Sequence, residues 1–179
     1  MKVTSTSIAD VFIIEPKFFE DLRGSFFESF NQRDFNAATG ANCSFVQDNH
    51  SRSKKGVLRG LHYQLGKPQG KLVRVVRGAV FDVAVDIRLT SPTFGKSFGM
   101  ELNEDNNQQL WVPPGFAHGF SVLSDSADLL YKTSDYYIPS LERCISWDDP
   151  DLGISWRLEG APILSVKDGA GQAFKTAEL

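Results

Sequence analysis

Residues 79–88 alternate strictly between two kinds of side chain, and this pattern constrains the fold more than any other feature of the sequence. One parity is apolar throughout and consists of Ala79, Phe81, Val83, Val85 and Ile87. The other parity is more polar and consists of Val80, Asp82, Ala84, Asp86 and Arg88. A period of two is the repeat of a β-strand with one buried face and one more polar face. The sequence therefore predicts a half-buried strand in this segment.

Short runs of similar character recur along the whole chain. They lie at residues 11–14, 25–30, 44–49, 57–64, 72–76, 97–102, 109–112, 116–123, 129–136 and 144–147. Turn residues such as Gly66-Lys67-Pro68 and Pro113-Pro114-Gly115 separate them. Many short strands with little helix between them predict an all-β sandwich, jelly roll or barrel.

The remaining segments contain little regular structure. One short helix is predicted at residues 33–38, capped by Asn31 or Gln32 and stopped by Gly40. From about residue 148 the strand pattern fades, and we expect turns and short helical pieces that wrap the barrel. No repeat or linker divides the chain, so residues 1–179 are expected to form a single domain.

Composition excludes several classes of protein. The chain has 179 residues with a net charge of −3, which argues against a nucleic-acid-binding surface. No run of about 18 apolar residues indicates a membrane span. The polar N-terminus does not resemble a secretory signal, so a cytoplasmic location is expected. Cys43 and Cys144, the two cysteines, are too few for a disulfide framework.

The chain has three histidines, and each is open to a structural and a functional interpretation. His62 could equally be a hydrogen-bonded residue of a barrel wall or a functional group. His118 shares its parity with Phe116 and Phe120, so it is expected to face an apolar interior. An imidazole there needs a polar partner, which favours a ligand-binding role. His50 could be a turn residue and has no assigned role.

A metal-dependent barrel is the alternative that histidines in a small β-protein raise. Such sites usually carry a His-x-His pair on one strand, with a carboxylate a few residues later. His62 is followed by Tyr63-Gln64 and His118 by Gly119-Phe120, so neither forms such a pair. The spacing therefore disfavours a metal-dependent oxygenase or isomerase.

Three further residues carry no catalytic signal when each is considered alone. Lys71 shares its parity with apolar residues, but a lysine at a strand entry more often extends to water. Tyr131 is equally well explained as a core tyrosine with its hydroxyl at the rim. Asp168 precedes a glycine and would ordinarily be a turn residue.

Taken together, however, five ordered motifs resemble a known family. They are FEDLRGSFFE at 19–28, FVQDNHS at 45–51, VLRGLHYQ at 57–64, QGKLVR at 69–74 and GFAHGF at 115–120. With LLYK at 129–132 and the pair Tyr136-Tyr137, they resemble the dTDP-4-dehydrorhamnose 3,5-epimerases over residues 8–168. The resemblance implies a cupin-type jelly roll (a double-stranded β-helix barrel) with short peripheral helices. It also implies a homodimer that uses no metal and no cofactor.

The resemblance also implies roles for individual residues. His62 matches the general base, Asp168 the carboxylate that holds it, Lys71 the lysine near the sugar carbonyl and Tyr131 the acid. Tyr137 matches a residue that stacks on thymine. The residues that match nucleotide and sugar contacts are Arg23, Glu28, Gln47, Asn49, Arg59, His118, Glu142 and Lys167.

These residue types suit epimerisation beside a ketone. In a 4-keto sugar the hydrogens on C3 and C5 are both α to the carbonyl, so either can be removed to give an enolate. The reaction needs a base active near neutral pH, a cation at the developing oxyanion and an acid on the opposite face. The expected activity is inversion of both carbons of dTDP-4-dehydro-6-deoxy-D-glucose in dTDP-L-rhamnose biosynthesis.

Two alternatives remain open at this point. A relative that inverts only C3 or only C5 would carry the same motifs, because one base–acid pair serves both carbons. A non-catalytic jelly roll that binds a sugar nucleotide would not need Lys71, Tyr131 and a His62–Asp168 pair together.

Overall fold

The computed structural model describes residues 1–179 and contains thirteen strands, one α-helix and three short 3₁₀ helices. The strands are β1 (Lys2–Ser5), β2 (Phe12–Glu15), β3 (Phe18–Asp21), β4 (Gly24–Phe27), β5 (Gln47–Lys54), β6 (Leu58–Gln64), β7 (Lys71–Arg77), β8 (Ala79–Asp86), β9 (Ser97–Asn103), β10 (Gln109–Val112), β11 (Phe116–Val122), β12 (Ser126–Thr133) and β13 (Glu142–Cys144). The helix is α1 (Gln32–Thr39), and the 3₁₀ helices span Pro139–Leu141, Asp168–Ala170 and Phe174–Thr176.

Two antiparallel sheets form the body of the molecule. One has the strand order β1-β2-β10-β7-β12-β5, and the other has the order β13-β6-β11-β8-β9. β3 and β4 form a separate hairpin. The largest apolar cluster draws residues from both sheets, among them Val73, Leu110 and Leu129 from the first and Val80 and Phe120 from the second. The predicted all-β jelly roll is therefore confirmed.

Strand β8 corrects the expectation of a half-buried strand. Every residue from Val80 to Asp86 is buried, on both faces of the strand. The more polar parity points into the interior, where Val80 and Ala84 join the core and Asp82 meets a histidine. The apolar parity faces outward but is covered by other residues. The alternation therefore separates two buried faces of the strand, and neither face is exposed to solvent.

The C-terminal segment provides that cover. Leu152 and Trp156 pack on the outer face of the five-stranded sheet against Phe81, Val83 and Val85. The Trp156 indole N–H donates to the carbonyl of Trp147 at 2.6 Å, and its own carbonyl accepts from the Ser121 hydroxyl at 2.6 Å. The expectation of a C-terminal tail of turns and short helical pieces that wraps the sheet is confirmed.

Helix α1 covers the outer face of the other sheet. The Asn31 side chain caps it by accepting from the backbone N–H of Asp34 at 3.3 Å, and Gly40 ends it with a left-handed φ of 70°. Its buried residue, Phe35, packs edge-on against Trp111 with ring centroids 5.1 Å apart. The predicted helix is confirmed, one residue longer at each end.

Several strand boundaries differ from the sequence-based expectation. A strand was expected at 44–49, but β5 spans Gln47–Lys54. Its second half was not predicted because β5 lies at the sheet edge, where exposed positions are polar and give no apolar alternation. β12 ends at Thr133, and β13 is Glu142–Cys144 in place of 144–147. β1 and β3 were not predicted, since their exposed side chains give no burial signal. The longest helix, α1, has eight residues, and no helix is long and apolar enough to cross a membrane.

Candidate active site

A cavity of about 340 Å³ opens where the two sheets face each other. It is lined by residues of both sheets: Gln47, Asn49 and Ser51 from β5, Arg59, His62, Tyr63 and Gln64 from β6, Lys71 from β7, His118, Gly119 and Phe120 from β11, and Tyr131 from β12. Gln69, Tyr137 and Glu142 complete the wall. Most of the residues named from the motifs thus line a single space.

The two histidines of the cavity are brought together by a close approach of strands β6 and β11. His62 and His118 are register partners in this antiparallel pair. Next to them, a Cβ atom on Gly60 would lie 2.5 Å from the Cα of Gly119, and Gly60 has a φ of +124°. Only glycine satisfies both conditions, so the RGLH and HGF segments need their glycines to place the imidazoles.

His62 contacts a buried carboxylate behind the cavity wall. Its Nε2 lies 2.7 Å from Oδ1 of Asp168, although the oxygen is off the line of an ideal hydrogen bond. Nδ1 has no polar partner in the protein and is free to meet a substrate. The side chain is 26% exposed, whereas that of Asp168 is 4% exposed. The pair can act as a base with a carboxylate behind it.

Asp168 is held ionised by three groups, two on strand β6 and one in its own turn. Burial opposes its ionisation, but contact with His62 and hydrogen bonds from the Ser165 hydroxyl and the Gly60 N–H outweigh it. The pKa of the Asp168 carboxyl is therefore well below its ordinary value. The expectation of an ordinary turn aspartate does not describe this residue, because the chain folds back and buries it against β6.

Lys71 lies inside the cavity and does not extend to water. The residue is only 7% exposed, and its Nζ donates to the His62 carbonyl at 3.2 Å. Burial lowers the pKa of Lys71 to about 8, an effect that Asp82 and Glu142 partly offset. The slight preference for a solvated lysine was wrong, because the start of β7 is enclosed by the opposite sheet.

Tyr131 lies on β12 between Val73 of β7 and Asn49 of β5. It is partly buried and lines the cavity. Burial raises the pKa of its hydroxyl above the ordinary value, and the nearby Glu142 carboxylate adds to this effect. The hydroxyl thus stays protonated at neutral pH and can donate a proton.

His118 has the polar partner that an inward-facing imidazole requires. Its Nε2 lies 2.9 and 3.0 Å from the two carboxylate oxygens of Asp82. Asp82 is fully buried and His118 is 7% exposed. Asp82 was not predicted as a site residue. Its position on the more polar parity of β8 could have identified it as a partner for an inward-facing histidine.

A small network of charged and aromatic side chains forms the rim. Glu142 accepts hydrogen bonds from the Tyr137 hydroxyl and the Lys167 ammonium. Burial alone would raise the pKa of Glu142, but these two donors hold it below its ordinary value. The Lys167 Nζ also lies 6.0 Å from the centroid of the Tyr137 ring, which is itself exposed.

Strand β5 supplies a row of polar side chains at alternate positions. Gln47 donates to Asn49 at 2.9 Å, and its oxygen accepts from the Tyr137 N–H at 3.0 Å. The next residue of this parity, Ser51, has a buried hydroxyl without a partner. Gln47 and Asn49 were predicted from the sequence but Ser51 was not, although it follows at the same two-residue step along β5.

Two of the residues expected to bind substrate lie away from this cavity. Arg23 is at the turn of the β3–β4 hairpin, its side chain is 90% exposed, and it pairs with Asp21. Glu28 is exposed just after the hairpin and accepts from Asn31 at 3.4 Å. Within one chain, neither residue lines the cavity.

Comparison with known proteins identifies the family. The family model described as dTDP-4-dehydrorhamnose 3,5-epimerase matches residues 5–176. The dTDP-4-dehydrorhamnose 3,5-epimerase of Pseudomonas aeruginosa is 58% identical, over 99% of this chain and 98% of that protein.

Solved structures agree with this match. A dTDP-6-deoxy-D-glucose-3,5-epimerase from Legionella pneumophila, in complex with dTDP-4-keto-L-rhamnose, superposes with a TM-score of 0.96 at 51% identity, covering 99% of this chain and 94% of that one. A 3'-monoepimerase from Streptomyces bikiniensis, in complex with dTDP-quinovose, has a TM-score of 0.89 at 36% identity, covering 96% and 87%. The chain is therefore an isomerase of the cupin-type jelly-roll fold and belongs to the dTDP-4-dehydrorhamnose 3,5-epimerase family.

Proposed function

We propose that this enzyme inverts C3 and C5 of dTDP-4-dehydro-6-deoxy-D-glucose to give dTDP-4-dehydro-L-rhamnose, in dTDP-L-rhamnose biosynthesis. The observation that carries the proposal is the convergence of His62, Lys71 and Tyr131 on one cavity, with Asp168 behind His62. The Legionella relative was solved in complex with dTDP-4-keto-L-rhamnose. The proposed reaction uses no redox cofactor and no metal, because the ketone itself acidifies both positions.

His62 is the base in this proposal. The Asp168 carboxylate beside Nε2 favours the tautomer with its proton on that nitrogen, which leaves the Nδ1 lone pair free. Nδ1 takes the proton from the carbon α to the ketone. The imidazolium that forms is stabilised by the same carboxylate.

Lys71 and Tyr131 complete the proton transfers. The Lys71 ammonium, held in a site with little water, stabilises the negative charge that develops on O4 as the enolate forms. Tyr131, protonated at neutral pH, delivers a proton to the opposite face of the same carbon and so inverts it. Repetition at the second α carbon gives the doubly inverted product.

The polar wall and the rim are proposed to bind the rest of the substrate. Only the Nε of Arg59 has a protein partner, the Ser53 hydroxyl at 3.1 Å, so its terminal nitrogens are free for a bidentate contact with the diphosphate. The exposed ring of Tyr137 can stack on thymine, with Lys167 beside it. Further polar contacts are assigned to Gln47, Asn49, His118 and Glu142.

A homodimer is the assembly that we propose. Arg23 and Glu28 match substrate contacts of the family but lie away from the cavity of their own chain. Near Arg23, Phe19, Leu22 and Phe26 are 53%, 108% and 71% exposed, which leaves the hairpin largely apolar and uncovered. We infer that the hairpin packs on a second chain and contributes Arg23 and Glu28 to that chain's cavity. The cytoplasmic location and the single-domain organisation remain predictions.

Inversion of a single carbon is the second candidate. It is favoured by the likeness to the Streptomyces 3'-monoepimerase, which shares the fold at a TM-score of 0.89. The same base and acid would serve either outcome, so the fold does not discriminate between them. The non-catalytic alternative is not supported, because the family is one of epimerases.

One experiment separates these outcomes. The enzyme is incubated in D₂O with dTDP-4-keto-6-deoxyglucose, and the sugar is followed by NMR. Deuterium at both C3 and C5 with inverted configuration supports the proposal, whereas incorporation and inversion at one carbon alone supports a monoepimerase. A coupled assay with a downstream NADPH-dependent reductase checks flux, and no NADPH loss at high enzyme concentration would overturn the assignment.

A further inference from the structure

A third potential metal ligand lies beside the His62–Asp168 pair. Cys144, on the edge strand β13, is the register partner of His62 on β6. One ligand atom from each of His62, Cys144 and Asp168 can be chosen so that all three lie within 4.8 Å of one another. The proposed reaction gives Cys144 no role, and burial raises the pKa of its thiol to about 12, so it is not a nucleophile at neutral pH.

We propose that His62, Cys144 and Asp168 form a binding site for a thiophilic divalent cation of the Zn²⁺ class, and that occupation of this site inhibits the enzyme. The three ligands are an imidazole nitrogen, a sulfur and a carboxylate oxygen, which are the donors that Zn²⁺ takes in proteins. The inhibition rests on the proposed role of His62 as base, whereas the binding itself does not.

The distances suit a small tetrahedral ion after minor adjustment. Bonds of about 2.0–2.3 Å at tetrahedral angles place ligand atoms roughly 3.3–3.8 Å apart. The His62–Asp168 contact of 2.7 Å would have to open by about 0.6–1.1 Å, and the widest separation, at most 4.8 Å, would have to close by at most about 1.0–1.5 Å.

The imidazole of His62 and the thiol of Cys144 are also weakly engaged. Nε2 of His62 is buried and has no well-aligned hydrogen-bond partner. The Cys144 thiol has only two long contacts, with the carbonyls of Gly60 at 3.6 Å and Ile145 at 3.5 Å. An ion would therefore replace the 2.7 Å contact between Nε2 and Asp168 and would displace no other strong bond of the imidazole or the thiol.

Inhibition follows from the chemistry of the imidazole. A metal at Nε2 takes that nitrogen's lone pair, so the ring proton must reside on Nδ1. Nδ1 then has no lone pair to accept the proton of the substrate carbon. The thiol proton is released to solvent on binding, because a coordinating thiol is deprotonated by the metal. No atom changes its oxidation state in this step.

The test is metal binding and activity in parallel, at fixed pH. Co²⁺ is used as a spectroscopic substitute, because a Co²⁺–thiolate bond gives a charge-transfer absorption. We expect this band in the wild type and in Cys43→Ser, a matched change at the other free cysteine, but not in Cys144→Ser. Zn²⁺ should inhibit the wild type and Cys43→Ser reversibly, with activity restored by EDTA.

Cys144→Ser is expected to remain active without added metal and to need about 100-fold more Zn²⁺ for half inhibition, since even the loss of an outer-shell partner costs about 10- to 100-fold in affinity. Cys144→Ala should behave in the same way and guards against a folding defect of the serine variant. Equal Zn²⁺ sensitivity of both variants and the wild type, or no Co²⁺–thiolate band, would overturn the site. A band without inhibition would overturn the inhibitory role, and an inactive metal-free wild type would count against the proposed function alone.

Discussion

At the scale of single residues, His62 is expected to be required for the reaction but not for the fold. Its ring faces the cavity and is 26% exposed, so removing it leaves the apolar core intact. His62→Ala should lose at least about 10²–10⁴-fold in turnover, the contribution of a positioned base. Turnover and thermal unfolding of the variant are the measurements, and loss of cooperative unfolding would instead assign His62 a structural role.

Lys71 should impose an alkaline limit on the activity. Its ammonium has a pKa of about 8, so the stabilising charge is present below that pH and disappears as the pH rises through it. We expect kcat/KM of the wild type to fall above about pH 8. In Lys71→Ala, kcat should decrease more than nucleotide binding weakens, because the charge acts on the enolate.

Lys71→Arg is the control for this assignment, since a guanidinium stays protonated across the range. Its residual activity should lack the alkaline limb near pH 8. An unchanged limb in the arginine variant would show that another group titrates there, and an unchanged kcat with a raised KM in Lys71→Ala would reassign Lys71 to ground-state binding.

Tyr131→Phe should separate proton exchange from inversion. Without the hydroxyl, His62 can still remove a proton and return a solvent-derived one to the same face. Deuterium uptake from D₂O should therefore persist while inverted product falls by a much larger factor. Loss of one hydrogen-bonding group should lower the free energy of unfolding by only about 1 kcal/mol. An equal decrease in exchange and inversion, measured by NMR on the same samples, would contradict the two-sided mechanism.

At the scale of secondary-structure elements, the C-terminal tail stabilises the sheet that carries the histidines. Trp156 is 5% exposed and packs over the outer face of that sheet, where its ring approaches Gly119. Trp156→Ala should lower the free energy of unfolding by about 3–5 kcal/mol, the usual effect of removing a buried aromatic side chain. Val166→Ala, at a 94% exposed position of the same tail, should change it by less than about 0.5 kcal/mol.

Chemical denaturation of both variants measures this difference. Because Trp156 lies on the outer face and outside the cavity, active-site contacts should change only through strand β11. A Trp156→Ala protein as stable as the Val166→Ala protein would show that the tail merely lies on the sheet.

At the scale of the whole molecule, the proposed dimer predicts complementation between chains. Arg23→Ala should bind substrate weakly, and His62→Ala should be inactive. In a mixed dimer, the cavity of the Arg23→Ala chain keeps its own His62 and receives Arg23 from the partner. Co-expressed chains should therefore be more active at low substrate than either variant alone. No recovery in mixed dimers, isolated with two different affinity tags, would place Arg23 in its own chain's site or in none.

The fold class was readable from the sequence because strand periodicity and turn residues are local properties. The alternation at 79–88, the runs between turns and the capped helix at 33–38 each correspond to an element of the structure. Boundaries failed where burial was not local, as in β5, whose polar residues form an edge strand by pairing with β12. The burial of both faces of β8 also depended on a tail more than 60 residues away along the chain.

The sequence by itself determined most of the strands along the chain, the family resemblance and the types of residue that could move protons. Only the tertiary structure decided their environments. Lys71 is buried because the opposite sheet encloses the start of β7, and Asp168 is ionised against His62 because a distant turn is folded onto β6. Cys144 lies beside this pair because strand β13 pairs with β6. A pKa or a distance between ligand atoms depends on which distant segments are in contact in the folded chain. Local periodicity in the sequence carries no information about those contacts.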